Sequence, residues 1–263
     1  MPTKKSIAVL AISLSALIAV PTLAQADLPD HIKQFQSSFP IKDVKRLDKV
    51  KDLPKGLRAW GAISPEGESF VFYDDPETRT LIIGAMVRDG KVLSQEHAKY
   101  APRLDYTKLF KDKKDLLDKY GVIPQGNPNA DVVVYAFFEP HCGFCHKAWL
   151  MFNDMKDDVF VKWIPVAFLS ADSPDYIQAI IGYEKGAAQG LIVHEETFPN
   201  SGLEPVPATQ ETLAMLQETS KLMRDFGFKG TPALVYENSK GGVSVHKGLP
   251  RDVEALKKDL GVE

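Results

Sequence analysis

The chain has 263 residues, 44% of them hydrophobic and 25% charged, with 32 basic side chains against 35 acidic ones. That length holds two ordinary domains, and a slightly acidic balance argues against a nucleic-acid partner. There are two cysteines, Cys142 and Cys145. A disulfide between them would close a loop too short to constrain the chain, so the pair is read as reactive and not as a staple.

Lys4 and Lys5 precede an apolar stretch from Ile7 to Val20, broken by Ser13 and Ser15, and Ala24-Gln25-Ala26 supplies a small-x-small cleavage pattern. Residues 1–26 therefore read as a secretory signal peptide. As a membrane anchor its apolar core is too short, and no other stretch approaches spanning length. Losing its two lysines leaves 30 basic side chains against 35 acidic. The mature chain is expected in an oxidising compartment, the bacterial periplasm.

Residues 27–104 are expected to form an N-terminal domain for assembly. A short helix over 28–39 carries Ile32, Phe35 and Phe39 at helical spacing. Strand-like runs follow at 57–63, 69–73, 81–87 and 91–93, separated by Ser64-Pro65-Glu66-Gly67, Asp74-Asp75-Pro76-Glu77 and Arg88-Asp89-Gly90. This is a small antiparallel sheet with a marginal core and an edge suited to pairing with a second copy. It offers no nucleophile beside a base, and His31 and His97 read as solvated surface residues. Residues 105–126 read as a linker helix and hinge. Asp105 is the N-cap and Gly121 the C-terminal stop, and Pro124-Gln125-Gly126-Asn127-Pro128 breaks the chain.

The last segment, 127–263, carries the chemistry. Val132 to Phe138 is a continuous apolar run, as in a strand buried on both faces. Pro140 and His141 interrupt it, Cys142 and Cys145 follow, and Ala148, Trp149, Phe152 and Met155 then recur at helical spacing. Cys142 thus stands at a helix N-terminus, where backbone N–H groups and the dipole favour a thiolate. Cys145 lies one turn on, within reach of a mixed disulfide held on Cys142. A second strand-like run over 159–169 makes a βαβ unit with a parallel pair. An insertion of about 172–227 comes next: a helix opened by Ser173 as N-cap and Pro174, a Gly/Pro-rich loop from Gly190 to Pro207, and a helix from Thr209 to Phe226. Thr231 to Tyr236 and Val243 to His246 form a hairpin around Gly241-Gly242, and a helix over 251–260 closes the chain. The class is mixed, α+β in the N-terminal domain and α/β in the C-terminal one.

This order of strand, Cys-x-x-Cys helix, strand, helical insertion, Thr-Pro, hairpin and final helix resembles the thioredoxin fold. Together with the leader, the β-rich (cystatin-like) module and the linker helix, it resembles the periplasmic DsbC/DsbG family of disulfide isomerases over nearly the whole mature chain. Gly248-Leu249-Pro250 and the length of the insertion look closer to the DsbG branch, whereas Gly143-Phe144 lies nearer the Gly-Tyr of DsbC. Ala136 stands where thioredoxin has a buried aspartate, which speaks against a cytoplasmic-style reductase. The resemblance implies a cis proline at Pro232 facing the reactive cysteine, and a V-shaped homodimer with a cleft between its catalytic domains. It also implies a membrane reductase of the DsbD type that keeps the dithiol reduced, and no cofactor beyond the redox-active Cys142–Cys145 pair.

The expected activity is reduction or reshuffling of non-native disulfides, or reduction of sulfenylated cysteines, in exported client proteins. Cys142 attacks, Cys145 resolves, Thr231 and Pro232 hold the client strand, and His141 assists electrostatically. Two other readings use the same residues, and a third does not need them. Cys142-Gly143-Phe144-Cys145-His146 also spells the c-type haem attachment motif, although haem attachment needs no βαβ frame. His141, Cys142, Cys145 and His146 could contribute to a zinc site, but four donors around one helix start rarely converge tetrahedrally. His146 is then expected to be exposed. A holdase chaperone would use the cleft and ignore the cysteines, and could coexist with the redox role.

Overall fold

The computed structural model describes residues 28–262, so the expected signal peptide lies outside the described residues. Contacts divide the chain into two compact units, one ending at Phe39 and one spanning Pro40–Glu263. In the first, helix α1 (Asp30–Ser38) has Asp30 in its first turn, which suits the positive end of the helix dipole, and Ile32 is buried. The Phe35 and Phe39 rings lie 5.0 Å apart.

The second unit begins with a four-stranded antiparallel meander, β1 (Lys42–Arg46), β2 (Arg58–Ile63), β3 (Ser69–Asp75) and β4 (Thr80–Ile83), in sequence order across the sheet. Leu47, Val50, Ala59, Val71, Tyr73 and Ala101 form its core. The strand expected over 81–87 is shorter. β4 stops at Ile83, Gly84 takes φ 150°, and Val87–Arg88 (β5) turns away to pair with Lys91–Val92 (β6) across Asp89-Gly90. Leu93 opens helix α2 (Leu93–His97) instead of continuing the strand. His97 is not a surface residue. It is 2% exposed, with Nδ1 2.9 Å from the Tyr73 hydroxyl and Nε2 2.9 Å from Asp52 Oδ1. An imidazole with both nitrogens satisfied is buried at little cost.

Helix α3 (Tyr106–Tyr120) forms where expected, with Asp105 accepting from the Lys108 N–H at 2.9 Å. Its Phe110, Leu117 and Tyr120 pack into the core of the following sheet. That sheet holds β7 (Ile123–Gly126), β8 (Val132–Phe138), β9 (Val159–Pro165), β10 (Ala233–Glu237) and β11 (Val243–Lys247), in the order β11-β10-β8-β9-β7. β8 and β9 are parallel, as the βαβ reading requires, and the other pairings are antiparallel. β7 was not expected, because Pro124 reads as a breaker. At a sheet edge a proline without an N–H is tolerated.

Alternate residues of the central strands feed two cores, as the two-residue period of a strand dictates. Val134, Ala136, Phe138, Trp163, Leu234 and Tyr236 face one side, with α4 (Gly143–Asn153), α5 (Ser173–Ile181), α6 (Ala187–Glu196) and α8 (Val253–Leu260). Tyr135, Phe137, Ile164, Ala233 and Val235 face the other, with α3 and α7 (Gln210–Asp225). The first part of the stretch expected as a loop, 190–196, lies in α6, and 197–207 is loop as expected. Gly190 is a close-packing position: a Cβ there would stand 2.4 Å from the Ile180 carbonyl oxygen. The cap of α5 is also shifted by one residue, to Asp172, because the Ser173 hydroxyl is engaged elsewhere. No helix among the described residues is long and apolar enough to cross a membrane.

Candidate redox site

β8 runs through the middle of the sheet and delivers Glu139, Pro140 and His141 to its C-terminal end, after which α4 begins. Cys142 is the N-cap of α4, and its Sγ accepts from the Cys145 N–H at 3.3 Å. As a thiol it donates to the Thr231 carbonyl oxygen at 3.3 Å. Both cysteines are free thiols, but their surroundings differ. Cys142 is 7% exposed at the helix mouth, while Cys145 is 0% exposed beneath it. Hydrogen bonding from Cys145, helped by Thr231 and the first N–H groups of α4, outweighs burial and pulls the Cys142 thiol down to about 6. Burial, then the neighbouring Cys142, pushes the Cys145 thiol well above its ordinary value. At neutral pH the site therefore offers one thiolate and one thiol, in the order nucleophile then reserve.

Pro232 is buried and Thr231 half-buried, the peptide between them is cis, and the Pro232 carbonyl accepts from Gly248 N–H at 2.9 Å. The pair faces Cys142 through the Thr231 carbonyl. The His141 ring is held on the α5 side of the turn. Its Nε2 lies 3.0 Å from Asp172 Oδ1, and its ring meets Tyr176 edge-on at 5.1 Å. His146 is not fully exposed as expected: its side chain is 24% exposed and its Nδ1 lies 2.8 Å from Glu195 Oε2. Phe144, at 59% exposed, Phe168 and Leu169 stand out as bare apolar side chains of this part of the chain.

Two buried acids of the site were not read from the sequence. Glu139 is 0% exposed. Its carboxylate accepts from the His141 N–H at 2.8 Å, the Leu169 N–H at 3.3 Å and the Ser173 hydroxyl at 2.5 Å. It thereby ties the turn before Cys142 to the 168–173 loop and to α5. The second acid, Glu195, comes from α6. A helical reading of 187–196 would have placed it four residues after the buried Leu191, on the same face. The layout does not suit porphyrin attachment, since Cys145 is enclosed and the His146 ring is paired with Glu195. Among the described residues no group of three or more His, Cys, Asp or Glu is placed to hold a metal ion.

The sheet order, the parallel β8–β9 pair with a Cys-x-x-Cys helix after β8, and the facing cis proline define a thioredoxin-like thiol–disulfide oxidoreductase. The chain matches no protein-family model. It is 27% identical over 257 residues to the thiol:disulfide interchange protein DsbG of Pseudomonas aeruginosa, covering 95% of this chain and 96% of that protein. To DsbG of Escherichia coli it is 27% identical over 224 residues, 80% of this chain and 86% of the relative. Among solved structures, the catalytic domain of Proteus mirabilis ScsC is 19% identical, with a TM-score of 0.47, over 59% of this chain and 96% of that one. The chain is a DsbG-like thiol:disulfide interchange protein.

Proposed function

We propose that the protein is an exported, periplasmic disulfide isomerase and reductase in which Cys142 attacks and Cys145 resolves. The observation that carries this is the asymmetry of the pair: a helix-capping thiol lowered to about 6 beside an enclosed thiol that is raised. The Cys142 thiolate attacks one sulfur of a client disulfide, forms a Cys142–client bond and expels the other client sulfur as a thiolate. In isomerisation that thiolate, or another in the client, attacks the client sulfur and frees Cys142. In net reduction Cys145 loses its proton and attacks Cys142 Sγ, the reduced client leaves, and a dithiol donor of the membrane-reductase (DsbD) type restores the pair. A sulfenylated client enters the same cycle with water as the leaving group. The Thr231 backbone beside Pro232 holds the client as an extended strand, and Phe144, Phe168 and Leu169 offer apolar purchase for unfolded segments, the basis of a chaperone role.

Trapping tests the assignment. Cys145→Ser should accumulate clients as mixed disulfides, visible as bands that collapse on reduction, whereas Cys142→Ser should accumulate none. Equal trapping by both variants would sink the order of the two thiols.

The same reading includes assembly of residues 27–104 as a homodimer. β4 is an edge strand carrying Ile82 at 43% and Ile83 at 58% exposure, and an apolar edge of this kind invites pairing with another sheet. Lysine at both positions should turn a dimer into a folded monomer in sedimentation, still active on a small disulfide. A wild-type protein that sediments as a monomer removes this part of the proposal.

A further inference from the structure

Glu195 takes no part in the thiol chemistry above, yet it is built into the same site. It is 1% exposed, and its carboxylate lies 2.8 Å from His146 Nδ1, on the residue that follows Cys145. The imidazole is fixed by stacking on Phe198 at 4.9 Å and on Trp149 at 6.3 Å. The titratable groups that act on or adjoin Glu195 are Cys142, the N-cap of α4, His146 from α4, and the chain neighbours His194 and the exposed Glu196 from α6 itself. Tyr176 of α5 packs against the His141 and His194 rings. His194 is lowered, mainly by burial, and as a neutral ring it donates from Nε2 to the Pro140 carbonyl at 2.8 Å while accepting from Ser201 at Nδ1. Lys147 lies over the Phe144 ring at 5.5 Å. Of these groups, His146 is the one in hydrogen-bond contact with the carboxylate.

We propose that Glu195, held in place by His146, is the proton store of the dithiol site, taking up a proton when the Cys142–Cys145 disulfide is reduced and yielding it when the disulfide forms. The inference rests on the redox reading of the two cysteines. On reduction by a dithiol donor the Cys142–Cys145 bond breaks, and the donor's two sulfurs lose two electrons, join, and release two protons. One proton goes to Cys145 and Cys142 remains a thiolate. The new negative charge at the start of α4 acts on the buried Glu195 carboxylate, and like charges in a dry site do not both persist. The second proton settles on Glu195. Burial, and then the Cys142 thiolate, push Glu195 up to about 8. When Cys142 is bonded to a second sulfur that charge is gone, burial alone raises Glu195, and it holds its proton less tightly.

Proton counting tests this. The full-length protein is equilibrated with reduced and oxidised glutathione at pH 6.5 and 7.5, between the Cys142 and Glu195 values of about 6 and about 8. Glutathione gives up two protons per disulfide formed. In Glu195→Gln the enzyme takes back one, so the constant for reduction should rise by about tenfold over that pH unit. In the wild type it takes back more than one, and the rise should lag the variant's by about threefold. Glu195→Asp, which restores a titratable group, should return the slope toward wild type, a response that a purely structural role would not give. Equal slopes in wild type and Glu195→Gln overturn the proton store and leave the redox reading standing. No glutathione exchange in any of the three proteins defeats the redox reading itself.

Discussion

Cys142→Ser is expected to lose thiol–disulfide exchange by on the order of 10³-fold or more, as removal of an attacking nucleophile does in other enzymes. A serine hydroxyl keeps its proton at the helix start, so no anion forms there. Cys145 cannot take over, because it is fully buried and its thiol is raised by burial and by its neighbour. Cys145→Ser should by contrast keep the first attack on a small aromatic disulfide, followed in a single-turnover assay. In the wild type the attack rate should climb with pH up to about 6 and flatten above, since the lowered Cys142 is mostly thiolate beyond that point; in Cys145→Ser, which lacks the Cys145 thiol, the climb should extend to higher pH. A Cys142→Ser protein retaining a large part of the wild-type rate would remove the nucleophile from the account.

Glu139→Ala should cost the fold about 3 kcal/mol or more. It leaves the His141 N–H, the Leu169 N–H and the Ser173 hydroxyl without their shared acceptor, and each unpaired buried group costs about 1–3 kcal/mol. In a protein of this size that corresponds to a midpoint lower by roughly 6–12 °C. Glu139→Gln keeps one carbonyl acceptor and should lose less. The 168–173 loop and the turn before Cys142 hang on the same carboxylate, so exchange should slow alongside. A loss below about 1 kcal/mol in thermal unfolding would show that solvent replaces those hydrogen bonds freely.

The centre of this site was legible because its signals are periodic or local. Val132 to Phe138 reads as a buried strand by its unbroken apolar run, α4 by Ala148, Trp149 and Phe152, and the helix start by the change of period at Cys142. What was missed lay where one residue type has two physical meanings. Gly190 reads as a breaker but serves as the point where α6 comes close to the Ile180 carbonyl. Missing α6 hid Glu195, and with it the reason His146 is not free in solvent. Pro124 reads as an end but sits on an edge strand. Glu139 gave no signal, since one acid after an apolar run looks like the start of a loop. Its role appears only when Leu169 and Ser173, some thirty residues on, arrive at its carboxylate. His97 was misread for the same reason, because its partners Asp52 and Tyr73 are distant in sequence.

The central claim is that Cys142 is a thiolate at neutral pH and Cys145 is not. Ultraviolet thiolate absorbance of the reduced protein, titrated from acid upward, measures this directly. The account predicts a midpoint near 6 in the wild type, with the signal growing as pH rises through that value, and its absence in Cys142→Ser. A midpoint at or above about 8.5, the value of an unperturbed cysteine, or a low midpoint that survives Cys142→Ser, would contradict it.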